Sequence, residues 1–144
     1  MVRAPHPQKG YFASYIGNPD SGLDLMYAGW IPDWANGSSV IPPLFDGRGL
    51  VVAAKNKSGS TNFSNLDSKE INDLVDAALG EPSLERQYVL WGQLDEKIQS
   101  MAVTIPVLYP KVLKMAGTNV RGGFVHPQFG QPDLSALGLA DPTI

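Results

Sequence analysis

From Leu84 to Met101 the apolar residues Leu84, Tyr88, Trp91, Leu94, Ile98 and Met101 recur every three or four positions, which is the period of one helical face. The spacing predicts a helix from about Ser83 to Ser100 with its aromatic side chains turned to a core. A second stripe, Ile71, Leu74, Val75, Ala78 and Leu79, precedes it, and Gly80 is placed to end that helix. Its start is marked by Asp67-Ser68-Lys69-Glu70, a capping residue followed three positions later by a glutamate near the positive end of the helix dipole.

Elsewhere the pattern is that of strands. From Leu23 to about Trp30, Leu23, Leu25 and Tyr27 share one face while Met26 and Ala28 share the other. Two apolar faces predict a strand buried in a sheet covered on both sides. Met101 to Tyr109 is a second apolar run, in which Pro106 predicts an edge position or a bulge. Lys111 to Ala116 alternates lysines with Val112, Leu113 and Met115 and predicts a third strand. Tyr11 to Ile16 fits either a short strand or one helical turn, and Pro42-Pro43 makes Val40 to Phe45 a short helix or extended turn. Met1 to Gly10 reads as an irregular lead-in, Lys55 to Thr61 as an exposed loop, and Gly117-Thr118-Asn119 as a turn leading to an extended tail with one helical turn near Asp133 to Leu137.

Between the first predicted strand and the proline pair lies Gly29-Trp30-Ile31-Pro32-Asp33-Trp34-Ala35-Asn36-Gly37. Pro32 and Asn36-Gly37 stop the strand from continuing in its ladder, so two indoles and a carboxylate gather where a sheet gives way to a loop. Ligand pockets form at such strand ends, where a few polar groups converge among aromatic walls. The alternative is a loop whose tryptophans plug the core.

Composition narrows the function. The 144 residues are 43% hydrophobic and 17% charged with a formal net charge of -3, which describes a mildly acidic globular chain able to bury a core. The eleven basic residues are scattered, so nucleic acid is not an expected partner. Cysteine is absent, which excludes disulfides and thiolate metal sites. The longest apolar run is about half the length a membrane helix needs. The first residues lack a signal peptide's apolar segment, as in a cytosolic protein or a piece of a longer secreted chain. No phosphate loop, dinucleotide fingerprint, zinc-binding helix or nucleophile elbow occurs, and His6 and His126 have no triad or metal spacing. No catalytic residue, metal or cofactor is therefore expected. A rival reading makes the chain an enzyme that uses Asp33 with Asp24 or Asp46, and another makes it an independent interaction domain. Asn36-Gly37-Ser38 and Asn62-Phe63-Ser64 match the glycosylation sequon.

The order of these motifs carries a resemblance. The succession Leu23-Asp24-Leu25-Met26-Tyr27-Ala28-Gly29-Trp30-Ile31-Pro32-Asp33, then Asn62-Phe63-Ser64-Asn65, then two helices, then Ile105-Pro106-Val107-Leu108-Tyr109 resembles the C-terminal part of the family 5 extracellular solute-binding proteins. These are the dipeptide-, oligopeptide- and nickel-binding receptors of ABC importers. The resemblance runs from about Tyr11 to Leu139. It implies an α/β fragment of a type II periplasmic-binding-protein fold, with residues 1–116 as the C-terminal part of the second lobe and 117–144 as a tail crossing back to the first lobe. It further implies non-catalytic capture of a small solute, with peptide leading and sugar or a nickel chelate as alternatives, and delivery to a membrane permease. The full-length chain would then be extracellular or periplasmic and anchored as a lipoprotein, and the isolated piece would expose an apolar surface and self-associate. In peptide-binding members the aspartate three residues after the strand-end tryptophan pairs with the ligand's terminal ammonium. That position is Asp33, with Trp30 as the motif tryptophan, and the ligand-binding residues expected are Trp30, Asp33, Trp34 and Asn36. After Asp33 the sequence departs from the family's usual acidic, proline-containing continuation, which leaves the exact ligand open.

Overall fold

A computed structural model describes residues 10–18, 20, 22–50, 59–109, 111, 113–127 and 130–143. Its elements in order are a π-helical turn Tyr11–Ile16, a 3-10 turn Gly37–Ser39, α1 (Ile41–Phe45), α2 (Lys69–Gly80), α3 (Leu84–Ser100), β1 (Val120–Arg121), a 3-10 turn Leu134–Ala136 and β2 (Gly138–Leu139). The described residues fall into two compact units. One is drawn from Met1–Trp30 and Asn36–Ile105, the other from Ile31–Ala35 and Pro106–Ile144.

The first unit is built on the two predicted helices. The cap of α2 is Ser68, one residue later than Asp67, and its side chain accepts from the backbone N–H of Ile71. The helix runs through Gly80 to a cap at Glu81. Ser83 caps α3 in the same way, accepting from the N–H of Arg86. Each serine thereby satisfies one of the amide donors that a helix start leaves unpaired. The connection Glu81–Ser83 is too short for α3 to do anything but fold back on α2, and Ile71, Val75 and Ala78 meet Trp91, Leu94 and Ile98 in one buried cluster with Ile41 and Leu66. The stripe of α3 is buried only in its middle: Leu84 and Tyr88 at one end and Met101 at the other are exposed, as is Leu79 of α2. A regular apolar period fixes which way a side chain points, whereas burial depends on a neighbour being there.

The loop from Ser60 to Leu66 closes this core around one polar side chain. Asn62 is 1% exposed. Its amide nitrogen donates to the backbone oxygens of Asp46 (3.3 Å) and Leu66 (2.8 Å), and its oxygen accepts from the Leu66 N–H (3.2 Å) and the Ser64 hydroxyl (3.0 Å). A buried amide is tolerated because it is satisfied in this way.

The second unit is an antiparallel pair in which Val120 faces Leu139 and Arg121 faces Gly138. Beyond the strands, the Asn119 side chain exchanges hydrogen bonds with the Asp141 backbone (2.7 and 2.8 Å), and Asp133 caps the 3-10 turn by accepting from the Ser135 N–H.

Three strand expectations fail. Residues 23–30 form no ladder, and Leu25 and Tyr27 are exposed. After α3, Met101 and Ala102 form a turn and residues 104–109 run without pairing, with Val107 74% and Tyr109 99% exposed. The described part of Lys111 to Ala116 is likewise unpaired, with Leu113 and Met115 exposed. The cause is the same in each case. A strand is half of a ladder, and an apolar extended segment becomes one only beside another edge, which the described residues do not offer it. Tyr11 to Ile16 resolves to a helical turn and Val40 to Phe45 to a short helix. Residues 1–9 of the lead-in, His6 among them, and residues 55–58 of the Lys55 loop lie outside the described residues.

Candidate functional site

The aromatic concavity of the first unit is assembled from three distant stretches. The turn Tyr11–Ile16 ends on Gly17, whose N–H donates to the Phe12 carbonyl (2.7 Å) and whose carbonyl accepts from the Ser60 N–H (2.7 Å). Only glycine permits this approach, because a Cβ there would stand 2.6 Å from the backbone oxygens of both Phe12 and Ser60. The close approach sets Phe12 beside Phe63, ring centroids 6.0 Å apart. Tyr11 stacks edge-on against Phe12 and its hydroxyl donates to the Tyr27 carbonyl (2.7 Å), tying the turn to the segment that leads to Trp30. Trp30 is half-buried, with its indole N–H donating to the Ser39 carbonyl (2.8 Å). Phe12, Gly29, Trp30, Ser60, Thr61 and Phe63 line most of the resulting cleft, of about 310 Å³.

Of the four ligand-binding residues expected from sequence, Trp30 lines this cleft. Asn36 belongs to the same unit, and its side chain works within the fold. The oxygen accepts from the Ser38 N–H (2.9 Å) to cap the Gly37–Ser39 turn, and the nitrogen donates to Gln87 of α3 (2.6 Å). Asp33 and Trp34 belong to the second unit, both exposed, Trp34 by 51%. The chain thus passes from one unit to the other between Trp30 and Ile31 and returns between Ala35 and Asn36.

The carboxylates named in the enzymatic alternative are differently occupied. Asp24 is exposed. Asp46 accepts from the Arg48 guanidinium at 2.7 to 3.1 Å, and Arg48 also binds Asp76. Hydrogen bonds from Arg48 hold the Asp46 and Asp76 carboxyls below the usual carboxylate range. A carboxylate stabilised in its charged form by a guanidinium is a weak proton acceptor, so Asp46 suits an ion pair better than general-base work. Among the described residues no three His, Asp or Glu side chains converge as a metal site would require. The sequon at Asn62 is closed in the folded state, since its amide nitrogen is buried and doubly bonded.

Trp91 is the packing tryptophan that its place in the α3 stripe predicts, 5% exposed. The residues that sequence reasoning missed are Phe12 and Phe63. They lie 51 positions apart with no shared period, and the tight Gly17 to Ser60 contact that brings them together leaves no signal in the sequence beyond the glycine itself.

No family model matches the chain. It is 26% identical over 116 residues to the probable di/tripeptide-binding protein 5 of Pseudomonas aeruginosa (strain UCBPP-PA14), a match that takes in 81% of this chain and 20% of that protein. Among solved structures, the clavulanic acid biosynthesis oligopeptide binding protein 2 superposes with a TM-score of 0.77 at 31% identity, over 92% of this chain and 24% of the other. The chain spans about a fifth to a quarter of the length of these relatives. Agreement of sequence and backbone over nearly all of the chain with these two peptide-binding proteins supports the resemblance to the family 5 extracellular solute-binding proteins that the order of its motifs carries, and an α/β segment of a periplasmic-binding-protein fold.

Proposed function

We propose that the chain is part of a receptor that captures a peptide reversibly, without chemistry, and presents it to an ABC importer outside the cytoplasmic membrane. The observation that carries this reading is the similarity in backbone and sequence to an oligopeptide-binding protein over 92% of the chain. In this reading residues 1–116 contribute to the second lobe and 117–144 cross toward the first, and the rest of a two-lobed receptor supplies the strands that residues 23–30 and 104–109 lack. The exposed apolar side chains of Leu25, Tyr27, Val107 and Tyr109 support it, because large apolar surface of this kind is normally covered by a partner. Left uncovered, it would draw copies of the isolated chain together.

Asp33 is the residue we assign to the ligand's ammonium, and Trp30, Trp34 and Asn36 are the other residues we assign to ligand binding. Exposed, as Asp33 is here, a carboxylate gains at most about 1 kcal/mol from an ion pair. Closure of a second lobe over it would remove water, strengthen the pair and make the closed form distinguishable to a permease. The test is calorimetry of the full-length receptor and its Asp33→Asn variant with a peptide bearing a free N-terminus. The expected loss is roughly 2 to 5 kcal/mol of binding free energy, the cost of leaving a desolvated charge unpaired. A loss under about 0.5 kcal/mol removes Asp33 from the site.

A further inference from the structure

We propose that the cleft between Phe12, Trp30 and Phe63 is a side-chain subsite that accepts one aromatic side chain of the captured peptide; this rests on the peptide-receptor reading. Its chemistry is set by its walls. Three rings line it, and among the described residues no charged side chain does. The polar atoms that do line it are engaged inward: the Trp30 indole N–H on the Ser39 carbonyl, the Thr61 hydroxyl on the Pro43 carbonyl (2.6 Å), and the Ser60 hydroxyl on the Asn62 N–H (3.0 Å). Such a surface offers ring faces and edges to a guest and little compensation for a charged or sugar-like one, whose lost hydration would go unpaid.

Size points the same way. About 310 Å³ lies at the bottom of the range for pockets that hold a whole small molecule, which run from roughly 300 to 1,000 Å³. The cleft therefore suits one side chain of a larger ligand. The walls are also held in place. Trp30 is fixed by its indole hydrogen bond, the backbone carrying Phe12 by the Gly17 to Ser60 contact, and the backbone carrying Phe63 by the loop that the buried Asn62 secures. Walls whose backbone is already held lose less freedom when a guest binds. Gly29 lines the cleft, and a Cβ added there meets no atom within 4 Å.

The experiment compares Ala-Phe-Ala with Ala-Ala-Ala by calorimetry on the protein at its natural length, then on Gly29→Leu and Phe63→Ala variants whose helical signal and melting temperature match the wild type. The wild type should prefer the phenylalanine peptide by about tenfold or more, the yield expected from seating one ring among others. Gly29→Leu, which adds a bulky side chain at the cleft lining, should bring that ratio close to one, and Phe63→Ala, which removes a wall, should lower it several-fold. A wild type that binds both peptides equally, or a preference that survives Gly29→Leu, overturns the subsite while leaving the receptor reading in place. Binding of neither peptide overturns both.

Discussion

Gly37 is where the core of the first unit is most exposed to a single added atom. It begins the 3-10 turn that Asn36 caps, and it lies flat against the indole of Trp91 on α3. A Cβ at this position would stand 2.5, 2.8 and 2.9 Å from three Trp91 atoms, about 1 Å inside the optimum carbon–carbon separation. Neither partner has room to retreat. Trp91 is 5% exposed and clustered with Ile41, Leu94 and Ile98, and the turn is tethered to α3 by the Asn36 to Gln87 hydrogen bond. Because Gly37 is not in the left-handed region, alanine brings no backbone strain, and by restricting the unfolded chain it would alone stabilise by about 0.4 to 1 kcal/mol. Overpacking of a rigid core costs about 1 to 3 kcal/mol and sometimes more. The clash should win, and Gly37→Ala should destabilise by about 2 kcal/mol net. In a Trp91→Leu background, where the ring is gone, the same substitution should cost nothing or stabilise slightly. Urea unfolding followed by far-ultraviolet circular dichroism, which the two long helices dominate, measures all four corners of the cycle. Equal effects of Gly37→Ala in both backgrounds would refute the steric account, since coupling between touching residues should be at least 1 kcal/mol.

The Trp91 indole N–H is buried without a hydrogen-bond partner among the described residues. Trp91→Phe should therefore cost less than about 1 kcal/mol by thermal melting, the small cavity being offset by removal of an unsatisfied donor. Asn62→Ala should cost about 2 kcal/mol or more in the same measurement, because it strands the N–H and the carbonyl of Leu66. Asp46 and Asp76 are held below their ordinary range by Arg48. A carboxylate whose folded pKa is depressed contributes stability above its unfolded value of about 4, and that contribution is lost as pH falls through the folded value. Melting temperature measured from pH 6 to 2 should therefore fall below about pH 4, and Arg48→Ala should flatten the part of the slope that these two groups cause.

The helices were legible in the chain because their signals are local: apolar stripes of period 3.6, a start signature at Asp67 that falls one residue before the Ser68 cap, and a tryptophan in the middle of one stripe predict ends, faces and a packing residue without reference to anything distant. The stretch from Gly29 to Gly37 reads as the end of a strand, and residues 23–30 form none, although the Asn36-Gly37 signal does mark a turn, the one that Asn36 caps. What the sequence could not decide was anything that needs a second party. Leu23 to Trp30 and Met101 to Tyr109 have strand composition, yet remain unpaired because a ladder depends on an edge supplied from elsewhere. Leu84, Tyr88 and Met101 share a face with Trp91 and are exposed, because burial requires an opposing surface. The aromatic cleft depends on the Ser60 N–H reaching the Gly17 carbonyl, a contact between residues 17 and 60 that no periodicity encodes. Local rules fix direction and conformation, whereas pairing, burial and the walls of a site are set by which parts of the chain tertiary packing brings within reach.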